Sequence, residues 1–179
     1  RISHMRLDTR LVFSIRASAV LTSGRKVRLP LEATPPADTF ADALPFCDRP
    51  DTETELEAKF SLQHALAVVA DGREADAEDF TPEAIAALAP LRAKVSVAED
   101  PAITARYPAH FGARVNGFEL VDTLGDPERP VDAERIIAKL HSLAKWGGLR
   151  PKDADRAVAL ALEGDDPEAI EAMLVEWTQ

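Results

Sequence analysis

Leu44-Pro-Phe-Cys-Asp-Arg-Pro-Asp-Thr-Glu-Thr-Glu-Leu-Glu-Ala-Lys-Phe-Ser-Leu-Gln-His-Ala-Leu-Ala67 changes character halfway along. Its first half is dense in polar groups, and its second half is the start of an apolar run that continues to Ala70. Thr54 and Glu57 have the spacing of a capping box, in which the threonine hydroxyl accepts from the Glu57 amide while Glu57 reaches back. A helix is therefore predicted from Thr54 onward, ending at Asp71-Gly72. Apolar residues surround it on nearly every side from Phe60 to Ala70, which makes it a central helix. Along one continuous helix Glu57, Ser61 and His64 would share a face. Burying unpartnered polar groups is costly, so this face is expected to meet water, a polar network or a ligand. Phe60, Leu62, Leu66 and Val69 are expected in the core, and His64 at a rim with its ring reachable by solvent. The plainer alternative leaves Glu57 and Lys59 as first-turn surface charges and His64 as a hydrogen-bonded core histidine. Cys47 has no histidine beside it in sequence and is expected to be an inert buried thiol.

Downstream, Thr81-Pro82-Glu83 opens a second helix with a capping threonine and a proline at the first position, and Pro90 is expected to end it. Lys94–Ala98 and Ala113–Val121 alternate as strands. Asp132 caps a helix with apolar positions Ile136, Ile137, Leu140, Leu143 and Ala144, stopped at Gly147-Gly148. Two further helices are predicted at Pro151–Glu163 and, capped by Asp166, at Pro167–Trp177. Upstream, Val27, Leu29, Leu31 and Ala33 alternate as a half-buried strand, which Pro30 places at an edge and Thr34-Pro35-Pro36 ends. Strands and helices without regular βαβ alternation give an α+β fold: a small, mostly antiparallel sheet covered by helices, with a helical C-terminal tail.

A length of 179 residues suits one domain with an arm, and 46% apolar with 29% charged residues is a globular composition. The charge is uneven: residues 1–30 carry seven basic groups and one acid, against a net charge of −10 for the whole chain. Residues 1–24 are accordingly set apart as a basic arm, vector-derived or non-native, since Ser3-His4-Met5 resembles an expression scar. Residues 25–179 are expected to form the domain. The acidic balance argues against a nucleic-acid partner. No apolar stretch approaches the ~20 residues needed to span a membrane. Leu11–Leu21 imitates a leader weakly but is interrupted by Arg16. A single cysteine permits no internal disulfide and favours a cytoplasmic setting. Histidines 4, 64, 110 and 141 are too far apart for a zinc motif. His110 reads as a loop or strand-edge residue and His141 as plain surface. No Gly-rich phosphate loop and no suggestive carboxylate pair is present.

The 44–67 stretch resembles the signature of the MmgE/PrpD family, whose members include 2-methylcitrate dehydratase, cis-aconitate decarboxylase and iminodisuccinate epimerase. The resemblance continues through Asp71-Gly72, Asp79-Phe80, Asp100-Pro101, Tyr107-Pro108, Gly112-Ala113-Arg114-Val115, Gly125-Asp126-Pro127-Glu128-Arg129-Pro130 and Ala138-Lys139-Leu140. It runs from about Lys26 to Leu149. It implies the smaller C-terminal α+β lid of a two-domain enzyme, normally a homodimer, with the active site between the lid and a helical domain that supplies most of the catalytic groups. Substrates would be small di- or tricarboxylates, handled without metal or other cofactor by proton abstraction and then elimination, decarboxylation or epimerisation. His64 stands where cis-aconitate decarboxylase offers an active-site tyrosine, so the resemblance makes it the catalytic candidate, with Lys59, Arg49 and Ser61 as substrate-binding residues. Carboxylate substrate would bind only with the helical domain present, and the chain alone would be inactive. The competing expectation is a non-enzymatic domain that binds a helical partner or self-associates through the surface a lid would hide.

Overall fold

Four strands of three residues each make up the sheet in the structure, a computed structural model that describes residues 36–164 and 166–178. The described residues form two compact units, one ending at Pro130 and the other beginning at Val131. The basic arm and the strand expected at Arg25–Ala33 lie outside the described residues.

In the first unit the sheet order is β2-β1-β3-β4. The central strand β1 (Ala37–Thr39) pairs in parallel with β2 (Val97–Glu99) and antiparallel with β3 (Ala113–Val115), which pairs antiparallel with β4 (Phe118–Leu120). Two of three pairings are antiparallel, and the α+β class follows. Residues of β1 alternate, with Ala37 and Thr39 buried and Asp38 turned outward.

The sequence pattern of a single strand over Ala113–Val121 is corrected here to a hairpin. Val115 and Phe118 are cross-strand partners, joined by Asn116 at φ 51° and Gly117 at φ 76°. Two central residues with positive φ make the tight turn whose twist matches the flanking strands, and Asn-Gly is the pair best suited to it.

Between β1 and β2 run α1 (Leu44–Cys47), α2 (Glu55–Phe60), α3 (Leu62–Ala70), α4 (Pro82–Ala87) and α5 (Ala89–Arg92); α6 (Pro101–Thr104) follows β2. Pro90 does not end the second helix. That helix stops at Ala87, and Pro90 sits in the first turn of α5, where its missing N–H costs nothing. Leu62, Leu66 and Val69 of α3 pack with Phe40, Val95, Ile103 and Val115 in the main core, which also takes in Cys47 as a buried side chain. Phe40 stacks on Tyr107 at 4.5 Å and meets Phe111 edge-on.

The second unit holds α7 (Ala133–Trp146), α8 (Pro151–Glu163) and α9 (Pro167–Trp177). Asp132, Asp166 and the glycines at 147 and 164 bound these helices as the sequence indicates. Their packed seams use small residues and one thioether: Ala144, Ala154, Ala157 and Met173 are buried. Of the five apolar positions named on α7, only Ala144 is buried, whereas Ile136 and Leu143 are exposed. His141 is not plain surface either, since its Nε2 lies 3.3 Å from the Asp155 carboxylate on α8. No helix among the described residues is long and apolar enough to cross a membrane.

Candidate functional site

The capping box at the head of the signature forms as its spacing requires. Glu57 accepts at 3.0 Å from the amides of Glu53 and Thr54 and from the Thr54 hydroxyl, while Thr54 accepts from the Glu57 amide. Those backbone donors hold the Glu57 carboxyl below the usual carboxylate range.

The helix that starts there does not continue. Ser61 is extended, at φ −86° and ψ 115°, and it closes α2 through its own N–H to the Ala58 carbonyl. Its hydroxyl then opens α3 by accepting from the His64 amide at 3.0 Å. A serine hydroxyl can replace a helical backbone partner in this way, which lets the chain change direction without orphaning a donor. The break removes the shared face expected for Glu57, Ser61 and His64: Glu57 belongs to one helix axis and His64 to another.

All nine residues of α3 are buried, Gln63 and His64 among them. His64 is 0% exposed, so the expected solvent-reachable ring is overturned. Its polar demand is met from inside. Nε2 lies 2.8 Å from the Asp79 carbonyl, and Nδ1 lies 3.3 Å from Arg92 Nη1. A carbonyl only accepts and a guanidinium only donates, so Nε2 carries the proton and Nδ1 accepts. Burial pushes the imidazole below its ordinary pKa, and the Arg92 cation opposes protonation as well. His64 is held as the neutral Nε2–H tautomer, with Phe80 5.4 Å away, ring centre to ring centre. The geometry is that of the hydrogen-bonded core histidine.

Around the loop at Asp48–Pro50 the same buried layer forms a clamp. The Arg49 N–H donates to Gln63 Oε1 at 3.0 Å, and the Ser61 hydroxyl donates to the Arg49 carbonyl at 2.6 Å. Gln63 Nε2 donates to Asp48 Oδ1 at 2.5 Å, and Arg92 Nε donates to the Pro50 carbonyl at 3.0 Å. Arg92 is 8% exposed, and its hydrogen-bond acceptors are the neutral Pro50 and Ile85 carbonyls and His64. Above this layer the side chains of Asp48, Arg49 and Asp51 are exposed. Arg49 Nε donates to the Phe46 carbonyl at 2.7 Å, and its terminal nitrogens enter no hydrogen bond or ion pair among the described residues.

Of the residues singled out from sequence, Arg49, Ser61 and His64 are brought together in one chain of hydrogen bonds. Lys59 is not. It is exposed on α2 and pairs with Glu55 one turn back, at 3.6 Å. Ser61, 0% exposed, has its hydroxyl committed on both sides, so it offers no group to an incoming molecule in this arrangement. Gln63 and Arg92 were missed. Gln63 sits inside the signature but looks like a filler between Leu62 and His64, and Arg92 is distant in sequence from everything it holds.

Other polar clusters serve the sheet. Arg114 bridges Asp100, Glu119 and Asp38 across neighbouring elements, and His110 meets Asp122 at 2.6 Å beside β4. Among the described residues no group of three or more potential metal ligands is close enough to hold an ion.

The family model described as the MmgE/PrpD C-terminal domain matches residues 37–164. A search of curated proteins returned no match.

Proposed function

This chain belongs to the MmgE/PrpD family through that family's C-terminal domain, and from that premise we propose that it is the lid of an enzyme acting on small di- or tricarboxylates. The reaction is abstraction of a proton next to a carboxylate, followed by elimination, decarboxylation or epimerisation. The observation that carries this reading is Arg49: a guanidinium on an exposed side chain whose own backbone is fixed by buried partners. A planar fork of donors is the group best matched to a carboxylate. A cation placed before the reaction begins stabilises the charge that develops on the substrate carboxylate as the neighbouring carbon loses its proton. Lys59, exposed on α2, would have to leave its Glu55 partner to serve as a second cation for a polycarboxylate. The proton-abstracting base belongs to the helical domain that the resemblance implies, and the assembly is a cytoplasmic homodimer. With its ring enclosed, His64 acts beneath the site rather than on the substrate.

The test is to express the gene from its native start and follow turnover of 2-methylcitrate, cis-aconitate and iminodisuccinate. Turnover of one of them, with KM raised at least about tenfold by Arg49→Gln, is the expected result for the loss of a charge-assisted anchor. Turnover indifferent to Arg49→Gln would remove Arg49 from the site. No turnover of any of the three would favour the second reading, a non-enzymatic module that binds a helical partner. That reading is supported by Phe46 and Leu56, 46% and 65% exposed within the 44–67 stretch.

A further inference from the structure

The clamp beneath Arg49 is more elaborate than chain reversal requires. Asp48–Pro50 is a surface loop, yet both backbone polar groups of Arg49, the next carbonyl and the preceding carboxylate are each bonded to a buried side chain. The partners come from two helices: Ser61 and Gln63 at the start of α3, and Arg92 at the end of α5. They are 0%, 2% and 8% exposed. Surface loops ordinarily leave such groups to water. Gln63 spends both ends of its amide on adjacent residues, accepting from Arg49 and donating to Asp48. A backbone fixed on both sides of one residue fixes the direction in which that side chain leaves the surface.

We propose that Gln63 is a positioning residue, whose amide locks the Asp48–Arg49 backbone so that the Arg49 guanidinium is held ready for a carboxylate ligand, with Arg92 securing the far side of the loop at Pro50. The inference rests on Arg49 being the anion anchor. A ligand that finds the loop already ordered does not have to order it on binding, so the clamp raises affinity without touching the ligand. The arrangement also accounts for a polar residue in the first turn of the most buried helix. Gln63 is tolerated there because the loop satisfies it, and the loop is held because Gln63 is there.

The hydrogen-bond polarity supplies a test that leaves net charge unchanged. Gln63→Met keeps the side-chain length and removes both bonds. The double change Asp48→Asn with Gln63→Glu keeps the summed charge and reverses one bond. The new amide at position 48 then donates to the new carboxylate at position 63, which still accepts from the Arg49 N–H. The measurement is citrate affinity of the protein expressed from its native start, with the 15N resonance of Arg49 Nε recorded alongside. Gln63→Met is expected to weaken citrate binding about tenfold, the scale of one or two lost ordering bonds, and to move the Arg49 Nε signal toward the position of a mobile arginine. The reversed pair is expected to bind within about twofold of the parent and to keep the parent signal. If Gln63→Met unfolds the protein, the reversed pair decides alone, because a loss of tenfold or more in that folded variant overturns the proposal. Citrate binding lost with Arg49→Gln but unchanged with Gln63→Met overturns the positioning role and leaves the anchor standing. Binding unchanged with Arg49→Gln removes the anchor and the positioning role together.

Discussion

His64→Ala and Phe60→Ala rank in opposite orders according to whether the stretch from 54 to 70 is one helix or two. On one continuous amphipathic helix Phe60 is core and His64 is rim, so the phenylalanine would carry about 3–5 kcal/mol and the histidine less than about 1. In the structure Phe60 is half-buried at the last turn of α2, and His64 is fully enclosed in α3. Truncating His64 leaves a hole where an imidazole stood against Phe80, for about 2–3 kcal/mol. It also leaves the buried Asp79 carbonyl without its donor, for about 1–2 kcal/mol more. Arg92 keeps its Ile85 and Pro50 acceptors, so its guanidinium is not stranded. The expected loss is about 3–5 kcal/mol for His64→Ala and about 1–2 kcal/mol for Phe60→Ala, whose side chain is only partly buried. Amide hydrogen exchange across α3 is the suitable assay, because it reports opening of the first unit independently of the second. A loss below 1 kcal/mol for His64→Ala together with a larger one for Phe60→Ala would refute the two-helix account.

Burial of neutral His64 has a pH signature. Its folded pKa is depressed, so its stabilisation is complete above the unfolded value of about 6.5 and is lost as pH falls below that, by at most about 1.4 kcal/mol per pH unit. Urea melts followed by circular dichroism at pH 7.5, 6.5 and 5.5 should show this decline, and His64→Gln, though less stable throughout, should flatten it. Gly112→Ala should cost about 1–3 kcal/mol in the same melts, because the new methyl would stand 3.0 Å and 3.3 Å from the Leu120 and Val121 carbonyl oxygens, which are backbone atoms and cannot swing aside; an unchanged midpoint would contradict that packing. The chain is expected to sediment as a dimer at ~0.1 mM, since Ile136, Leu143, Trp146 and Leu162 leave large apolar groups in water, and a strictly monomeric profile would count against it.

Local chemistry was the most legible part of the sequence. Thr54, Thr81, Asp132 and Asp166 each accept from an amide three residues on, and such caps depend only on neighbours. The break at Ser61 was hidden because the apolar run on both sides continues through it, and a hydroxyl in mid-helix gives no sign of whether it will take over an amide. The turn at Asn116-Gly117 reads in the sequence as part of one strand, because the alternation continues on either side of it. β1 could not be found from its residues, because Ala-Asp-Thr has little strand preference and becomes a strand through its neighbours on both edges. The surroundings of His64 lie 15 and 28 positions away, at Asp79 and Arg92, and no local pattern announces contacts at that distance. Arg49 is the reverse case. The signature singles it out, but the side chains that bond its backbone lie in the buried layer beneath it.

The central place of β1 in the sheet bears on how the chain is made. Asp38 stands opposite Ala98 on one side and Arg114 on the other, partners 60 and 76 positions later. At a synthesis rate of roughly 5–20 residues per second, β1 waits several seconds on the ribosome with both edges uncovered. The three helices of the second unit need no such wait, since the second closes on the first and the third on the second. The strand made first among the described residues is thus completed late, and a pause in translation before residue 114 prolongs the interval in which its edges are open to pairing with another chain.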